Sequence, residues 1–175
     1  MTGWNAQKTA LAERLTAGRK HALGKMVPLA DLSAFLQAVL RPGDRVCLEG
    51  DNQKQADVLA AALANVDPGK THDLHMVLSG VVLPEHLDVF EKGIARRLDY
   101  SYSGPQAARV ARMLFDGKIE LGAIHTYLEL FARYFIDLTP NVALIAAVSA
   151  DKEGNLYTGP NTEDTPTVVE ATSFK

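Results

Sequence analysis

The hydrophobic pattern changes character near residue 40. Before that point apolar residues recur at helical spacing: Trp4, Leu11 and Leu15 form one narrow stripe. A second helix is predicted after Asp31, an N-cap residue type, with Leu32, Phe35, Leu36, Val39 and Leu40 on its packed side. Arg41-Pro42-Gly43-Asp44 stops it, because proline cannot continue a helix and glycine favours a turn. The chain therefore divides into an N-terminal helical extension, 1–40, and a region of mixed pattern, 41–175.

Beyond Asp44 short apolar runs alternate with helical stretches. Val46-Cys47-Leu48-Glu49 reads as a strand, Gly50-Asp51-Asn52 as a turn, and Gln53 to Ala64 as a helix packed through Ala56, Leu59, Ala60 and Leu63. Leu74 to Leu78 is the next strand, ended by Ser79-Gly80, and Pro84 to Phe90 suits a short helix. Arg97 to Tyr102 alternates with period two, as a half-buried strand does. Ser103-Gly104-Pro105 then opens a helix reaching Phe115, predicted to bury Ala107, Val110, Ala111 and Leu114 and to turn Arg109 and Arg112 outward. Ile119 to Ile124 reads as a strand and Tyr127 to Phe135 as a helix. Val142 to Val148 is a continuous apolar run, expected of a strand covered on both faces. After the turn Asp151 to Asn155, Leu156-Tyr157-Thr158 is expected to pair back onto it, and the β-branched Thr167 to Ala171 predicts a last strand. This alternation implies an α/β fold with a mostly parallel sheet carrying helices on its faces. The chain stops four residues past that last strand, which reads as the end of a fragment.

Composition narrows the function classes. The 175 residues are 47% hydrophobic and 22% charged, enough for one domain with a sizeable core. A net charge of −3 gives nucleic acid no electrostatic reason to bind. No apolar run is long enough to span a bilayer. Lys8, Arg14, Arg19 and Lys20 are followed by no apolar signal segment, and Glu13 argues against a basic leader. Cys47, the single cysteine, forms no intrachain disulfide and points to a reducing cytoplasm; within an apolar strand it reads as a small buried hydrophobe.

In open parallel sheets ligands bind beyond the carboxyl ends of the strands. The richest such junction is Glu49 to Gln55. There Gly50 allows a tight turn, Asn52, Gln53 and Gln55 offer amides, and Lys54 can offset a carboxylate or phosphate. The run lacks a Walker or dinucleotide glycine pattern, so an ordinary solvated helix start stands beside the anion-site reading. Ser79-Gly80 is a second junction, and Ser101-Tyr102-Ser103-Gly104-Pro105 a third, whose hydroxyls could face the same crevice. The polar loop Gly159 to Pro166, with Asn161, is a fourth. His72 and His75 lack a third ligand at metal spacing, and no metal site is read. His125, at a strand end, reads as a hydrogen-bonded structural imidazole. No Gly-x-Ser-x-Gly elbow is present.

Three long strings carry a family likeness: Arg41 through Asp57 (RPGDRVCLEGDNQKQAD), Gly117 through Glu129 (GKIELGAIHTYLE) and Asn155 through Pro166 (NLYTGPNTEDTP). They resemble the malonate decarboxylase α subunits, a coenzyme A-transferase-like family. The resemblance implies a Rossmann-like sheet of the coenzyme A-transferase type. It implies exchange of malonate for acetate on an acyl carrier protein bearing a coenzyme A-like prosthetic group, with no cofactor bound directly by this chain. Decarboxylase subunits are the further partners implied. The substrate-binding residues then expected are Gly50, Asn52, Gln53, Lys54, Gln55, Ser103, Gly104 and Asn161. The glycine-amide turn departs from the glycine-rich turn of ordinary coenzyme A-transferases, so their contacts are not carried over. Their nucleophilic glutamate lies in the second half of a longer subunit; here Glu49 and Glu170 read as strand-end residues, and no catalytic residue is assigned. The 175 residues alone are expected to lack transferase activity. Two other functions fit such a sheet: a sugar-phosphate isomerase-like enzyme, and a non-catalytic assembly module whose helical arm docks a decarboxylase partner.

Overall fold

A computed structural model describes residues 3–49 and 56–172, the side chains of 3–5 and 7 excepted. The expected turn Gly50-Asp51-Asn52 and the expected helix start at Gln53 lie outside the described residues. Helix α1 (Gly3–Gly18) is followed by a 3-10 turn, Arg19–His21, and helix α2 spans Leu32–Val39. The two helices meet closely at Gly18, where a β-carbon would stand 2.7 Å from the Phe35 ring. Arg14 fixes the arrangement, donating to Asp44 at 2.5 and 2.7 Å and to the Val39 carbonyl at 2.7 Å. Asp44, nearly buried, also accepts from the Arg41 amide, so the stop signal after α2 and the docking of α1 share one carboxylate. Asp31 stands at the N-cap of α2 without a side-chain bond, its place taken by a preceding 3-10 turn, Leu29–Asp31.

The sheet has five parallel strands in the order β4-β3-β2-β1-β5: β1 (Arg45–Glu49), β2 (Leu74–Gly80), β3 (Ala95–Tyr102), β4 (Glu120–Ile124) and β5 (Val142–Ile145). From β1 to β4 the chain steps one way through helices α3 (Asp57–Leu63), α4 (Asp88–Glu91) and α5 (Ala107–Phe115). Helix α6 (Tyr127–Ile136) then carries it back across the sheet to β5. Parallel crossovers keep one hand, so reversing direction places α6 on the opposite face from α3 to α5.

One face is an apolar core, with Val46, Leu48, Met76, Leu78 and Leu98 meeting Leu36, Val39, Leu63, Phe90, Val110 and Met113. Each fully buried side chain of this kind contributes about 1.5–3 kcal/mol. On the other face a smaller cluster joins Cys47, Val77 and Ala143 to Leu130, Tyr134, Leu138 and Val168. Val142 and Ala143 therefore pack on opposite sides, as the continuous apolar run of β5 implies. Cys47 is buried, and desolvation pushes its thiol well above the ordinary range, so it stays protonated as a packing residue.

Three expectations are corrected. Thr167 to Ala171 is not a strand: it lies in helix α7 (Thr165–Ala171), with Pro166 in the first turn, and Glu170 is an exposed helix residue. β-Branched content argues for a strand, but a proline preset for the first turn and Val168 buried against α6 favour the helix. On α5 Val110 and Met113 are buried and Leu114 packs against the core as expected, while Ala107 and Ala111 are exposed. The helix is preceded by a 3-10 turn, Gly104–Gln106, which rotates its phase. Leu156-Tyr157 pairs with Ser149–Ala150, just beyond β5, giving a small antiparallel hairpin of β6 (Ser149–Ala150) and β7 (Leu156–Tyr157). Of the expected run only Val148 joins it, its amide donating to the Tyr157 carbonyl at 2.9 Å. Asp151 closes that hairpin, accepting from the Asn155 amide and side chain, both at 2.8 Å. Among the described residues no helix is long and apolar enough to cross a membrane.

Candidate functional site

The strand order reverses direction between β1 and β5, and this is the place where an open parallel sheet leaves a crevice beyond its carboxyl ends. Glu49 closes β1 there, buried at 1% exposure. Asp164 and Thr165, at the start of α7, are also buried, and α7 packs against β1 and β5. Glu49 and Asp164 both act electrostatically on the Cys47 thiol and the Tyr134 phenol, so two buried carboxylates approach one region from different elements. Glu49 was legible as a strand end; Asp164 lies in the Gly159 to Pro166 loop named as a junction, but nothing singled it out there. A buried acid just ahead of Thr-Pro, a helix-start pattern, is the signal that could have found it.

The expected site residues fall into three groups. Gly50, Asn52, Gln53, Lys54 and Gln55 lie outside the described residues. Ser103 and Gly104 stand at the carboxyl end of β3, both half-buried. The Ser103 carbonyl accepts from the Gln106 amide at 2.8 Å, and Gly104 has φ +40°, with the Tyr102 ring where a β-carbon would go. Asn161, half-buried in the loop entering α7, reaches Glu163 at 3.5 Å. Strand spacing puts the β3 end about 10 Å from β1, across β2. Ser79, at the end of β2, is buried between them.

The histidines are sorted by their partners. His72 is half-exposed and meets Asp73 at 2.8 Å, whereas His75 turns onto the sheet face and meets Asp99 at 2.6 Å. His125 Nε2 lies 2.7 Å from the other Asp99 oxygen, so one buried carboxylate is clamped between two imidazoles. Burial opposes ionisation of Asp99, but the hydrogen bonds from His75 and His125 outweigh it and bring the carboxyl down to about 2. Gly122 makes room for this carboxylate: a β-carbon there would collide with it. Arg97 approaches Asp99 at 3.6 Å, and Glu129 approaches His125 at 3.3 Å. The array sits under α6 where the apolar cluster gives out, and His125 is buried and hydrogen-bonded there, as the sequence predicts. Asp99 went unremarked, and His75 was weighed only beside His72, because the partners in this array stand 24 to 26 residues apart. Among the described residues no three His, Cys, Asp or Glu side chains are grouped to hold a metal ion.

A family model described as malonate decarboxylase, alpha subunit, transporter matches residues 3–175. The chain belongs to the malonate decarboxylase alpha subunit family. It is 58% identical, over 98% of its length, to an acetyl-S-ACP:malonate ACP transferase of Malonomonas rubra. Its fold matches a malonate decarboxylase alpha subunit of Acinetobacter baumannii with TM-score 0.93 at 48% identity, covering 96% of this chain and 31% of that one. A Pseudomonas malonate decarboxylase hetero-tetramer in complex with malonate matches with TM-score 0.93 at 56% identity, covering 98% and 31%. The chain spans 31% of the length of the curated relative. The three strings that resemble malonate decarboxylase α subunits include the end of β1, the turn from β4 into α6, and the approach to α7. All three therefore supply the carboxyl edge of the sheet.

Proposed function

We propose that this chain forms one wall of an acyl-carrier-protein transferase site: acetyl-carrier protein and malonate are converted to malonyl-carrier protein and acetate. The observation that carries the reading is family membership over residues 3–175, joined to a sheet whose switch point lies where the Arg41 to Asp57 string ends β1. The relatives' names supply the chemistry, since one is a malonate ACP transferase and another was solved with malonate. Within this reading Gly50, Asn52, Gln53, Lys54 and Gln55 hold a malonate carboxylate, and Ser103, Gly104 and Asn161 border the thioester. The carrier's thiol, borne on a coenzyme A-like prosthetic group, is the acyl acceptor, and decarboxylase subunits consume the malonyl thioester in the cytoplasm. The 175 residues by themselves are not expected to complete the exchange.

Ligand-dependent unfolding tests the reading. Malonate at ten times its Kd raises stability by about 1.4 kcal/mol, or roughly 3–6 °C for a chain of this size. Stabilisation by a phosphosugar and not by malonate would transfer the chain to the isomerase-like reading. No response to either, with tight binding to decarboxylase subunits, would make it an assembly module.

A further inference from the structure

Helix α6 has ten residues and three stripes of different character. Leu130 and Tyr134, one turn apart, are fully buried in the smaller cluster. Glu129 and Arg133, with Asp137 just past the helix end, repeat that spacing as a polar stripe, and Arg133 pairs with both acids. The third stripe is Leu128, Ala132, Phe135 and Ile136, at the i, i+4, i+7, i+8 spacing that ordinarily marks a core-facing side. Here it is open: Leu128 is 84% exposed, Phe135 55% and Ile136 74%. The body of α5 shows the ordinary case, since its exposed positions Ala108, Ala111 and Arg112 are small or charged. A helix that is apolar on two sides is normally covered on both, and an exposed patch of large hydrophobes marks an interface.

We propose that the outer stripe of α6 is the seat of the remainder of a full-length alpha subunit, which packs on Leu128, Phe135 and Ile136. Length and area choose this occupant. The Acinetobacter baumannii alpha subunit contains this fold within 31% of its chain, and the Malonomonas rubra relative matches over 31% of its length. The rest of each subunit packs against some part of this surface, and burial of large apolar side chains is what favours one face over another. Covalent continuity holds that remainder at high local concentration, so a small seat suffices. A second copy has no such advantage. Ten helical residues span about 15 Å, and one stripe of them is far smaller than the ~800 Å² per partner of a stable interface between separate chains. The polar stripe also fits an intramolecular seat, because Arg133 already pairs with Glu129 and Asp137 and covering its edge strands no charge. This seat rests on family membership and is independent of which acyl group the crevice takes.

Maleimide labelling tests the proposal, since Cys47, the single cysteine, is buried and protonated. Leu128→Cys and Ile136→Cys are made in this chain and in a full-length subunit, where the chain replaces the matching segment of the Malonomonas rubra relative. Arg112→Cys, on α5, is the control. In the 175-residue chain all three positions are expected to label at similar rates, whatever the protein concentration. In the full-length subunit positions 128 and 136 are expected to slow by about tenfold or more, with position 112 unchanged. Hydroxyl-radical footprinting of Phe135, which needs no cysteine substitution, is expected to show the same loss of reactivity. Labelling at 128 and 136 as fast in the full-length subunit as in the short chain would overturn the proposal. So would protection in the short chain that grows with protein concentration, which seats a second copy there, or protection that appears only when decarboxylase subunits are added.

Discussion

The two faces of this sheet bury histidine in opposite ways. On the face covered by α2 to α5, His86 sits in an apolar setting, and burial pushes its imidazole below the ordinary value, with the Gly80 backbone and Glu85 only partly countering. On the face covered by α6, His75 and His125 are paired through Asp99. The first face stores stability in area and tolerates exchange of one hydrophobe for another. The second fixes which strand lies beside which, because two imidazoles, from β2 and the β4–α6 turn, must meet on one carboxylate of β3. Buried charge of that kind is weak evidence for stability and better evidence for a specified geometry.

Several substitutions can break the contrast. Asp99→Ala has the largest expected effect, about 3–5 kcal/mol by denaturant unfolding, since it leaves the imidazoles without their carboxylate. The triple replacement His75→Leu, Asp99→Leu and His125→Leu should cost less than Asp99→Ala alone; a greater cost would show that the array itself stabilises the fold. Leu98→Ala, on the apolar face one residue away, is expected to cost about 2–5 kcal/mol, with no partner substitution able to restore it except a larger hydrophobe.

Gly122→Ala comes next, at about 1–3 kcal/mol, through collision with the Asp99 carboxylate. In a double-mutant cycle that cost should vanish when Asp99 is already alanine, whereas additivity would deny the close approach.

Acid titration gives the smallest and most graded effect. His86 has a lowered folded value, so the unfolded chain binds its proton more readily, and stability is lost as pH falls below the ordinary 6.5. Asp99 is also lowered, so its contribution is complete above 3.8 and is lost as pH falls toward about 2. His86→Leu should flatten the first loss and leave the second in place.

Much of the fold was legible because its strands are apolar runs. Val46 to Glu49 and Leu74 to Leu78 are strands as expected, the expected strand Val142 to Val148 ends at Ile145, and the alternation with helices implies the parallel sheet. The failures are local. Thr167, Val168 and Val169 carry strand propensity, yet a proline-initiated turn and one buried face make them helix. Ala107 and Ala111 were expected inward, but a short 3-10 turn changed the phase and Met113 took the core position. The carboxyl-edge junctions were legible as punctuation, with glycine, hydroxyl and amide residues at strand ends. The Asp99 array was not, since nothing local in Leu98-Asp99-Tyr100 announces two imidazoles arriving from neighbouring elements.

The central claim is that the crevice at the β1–β5 switch point is the malonate side of a transferase site. A crystal structure of the chain with malonate tests it most directly. Malonate is expected beyond the carboxyl ends of β1 and β5, with a carboxylate held by residues 50–55. Malonate bound away from that crevice, or a phosphosugar occupying it while malonate does not, would contradict the account.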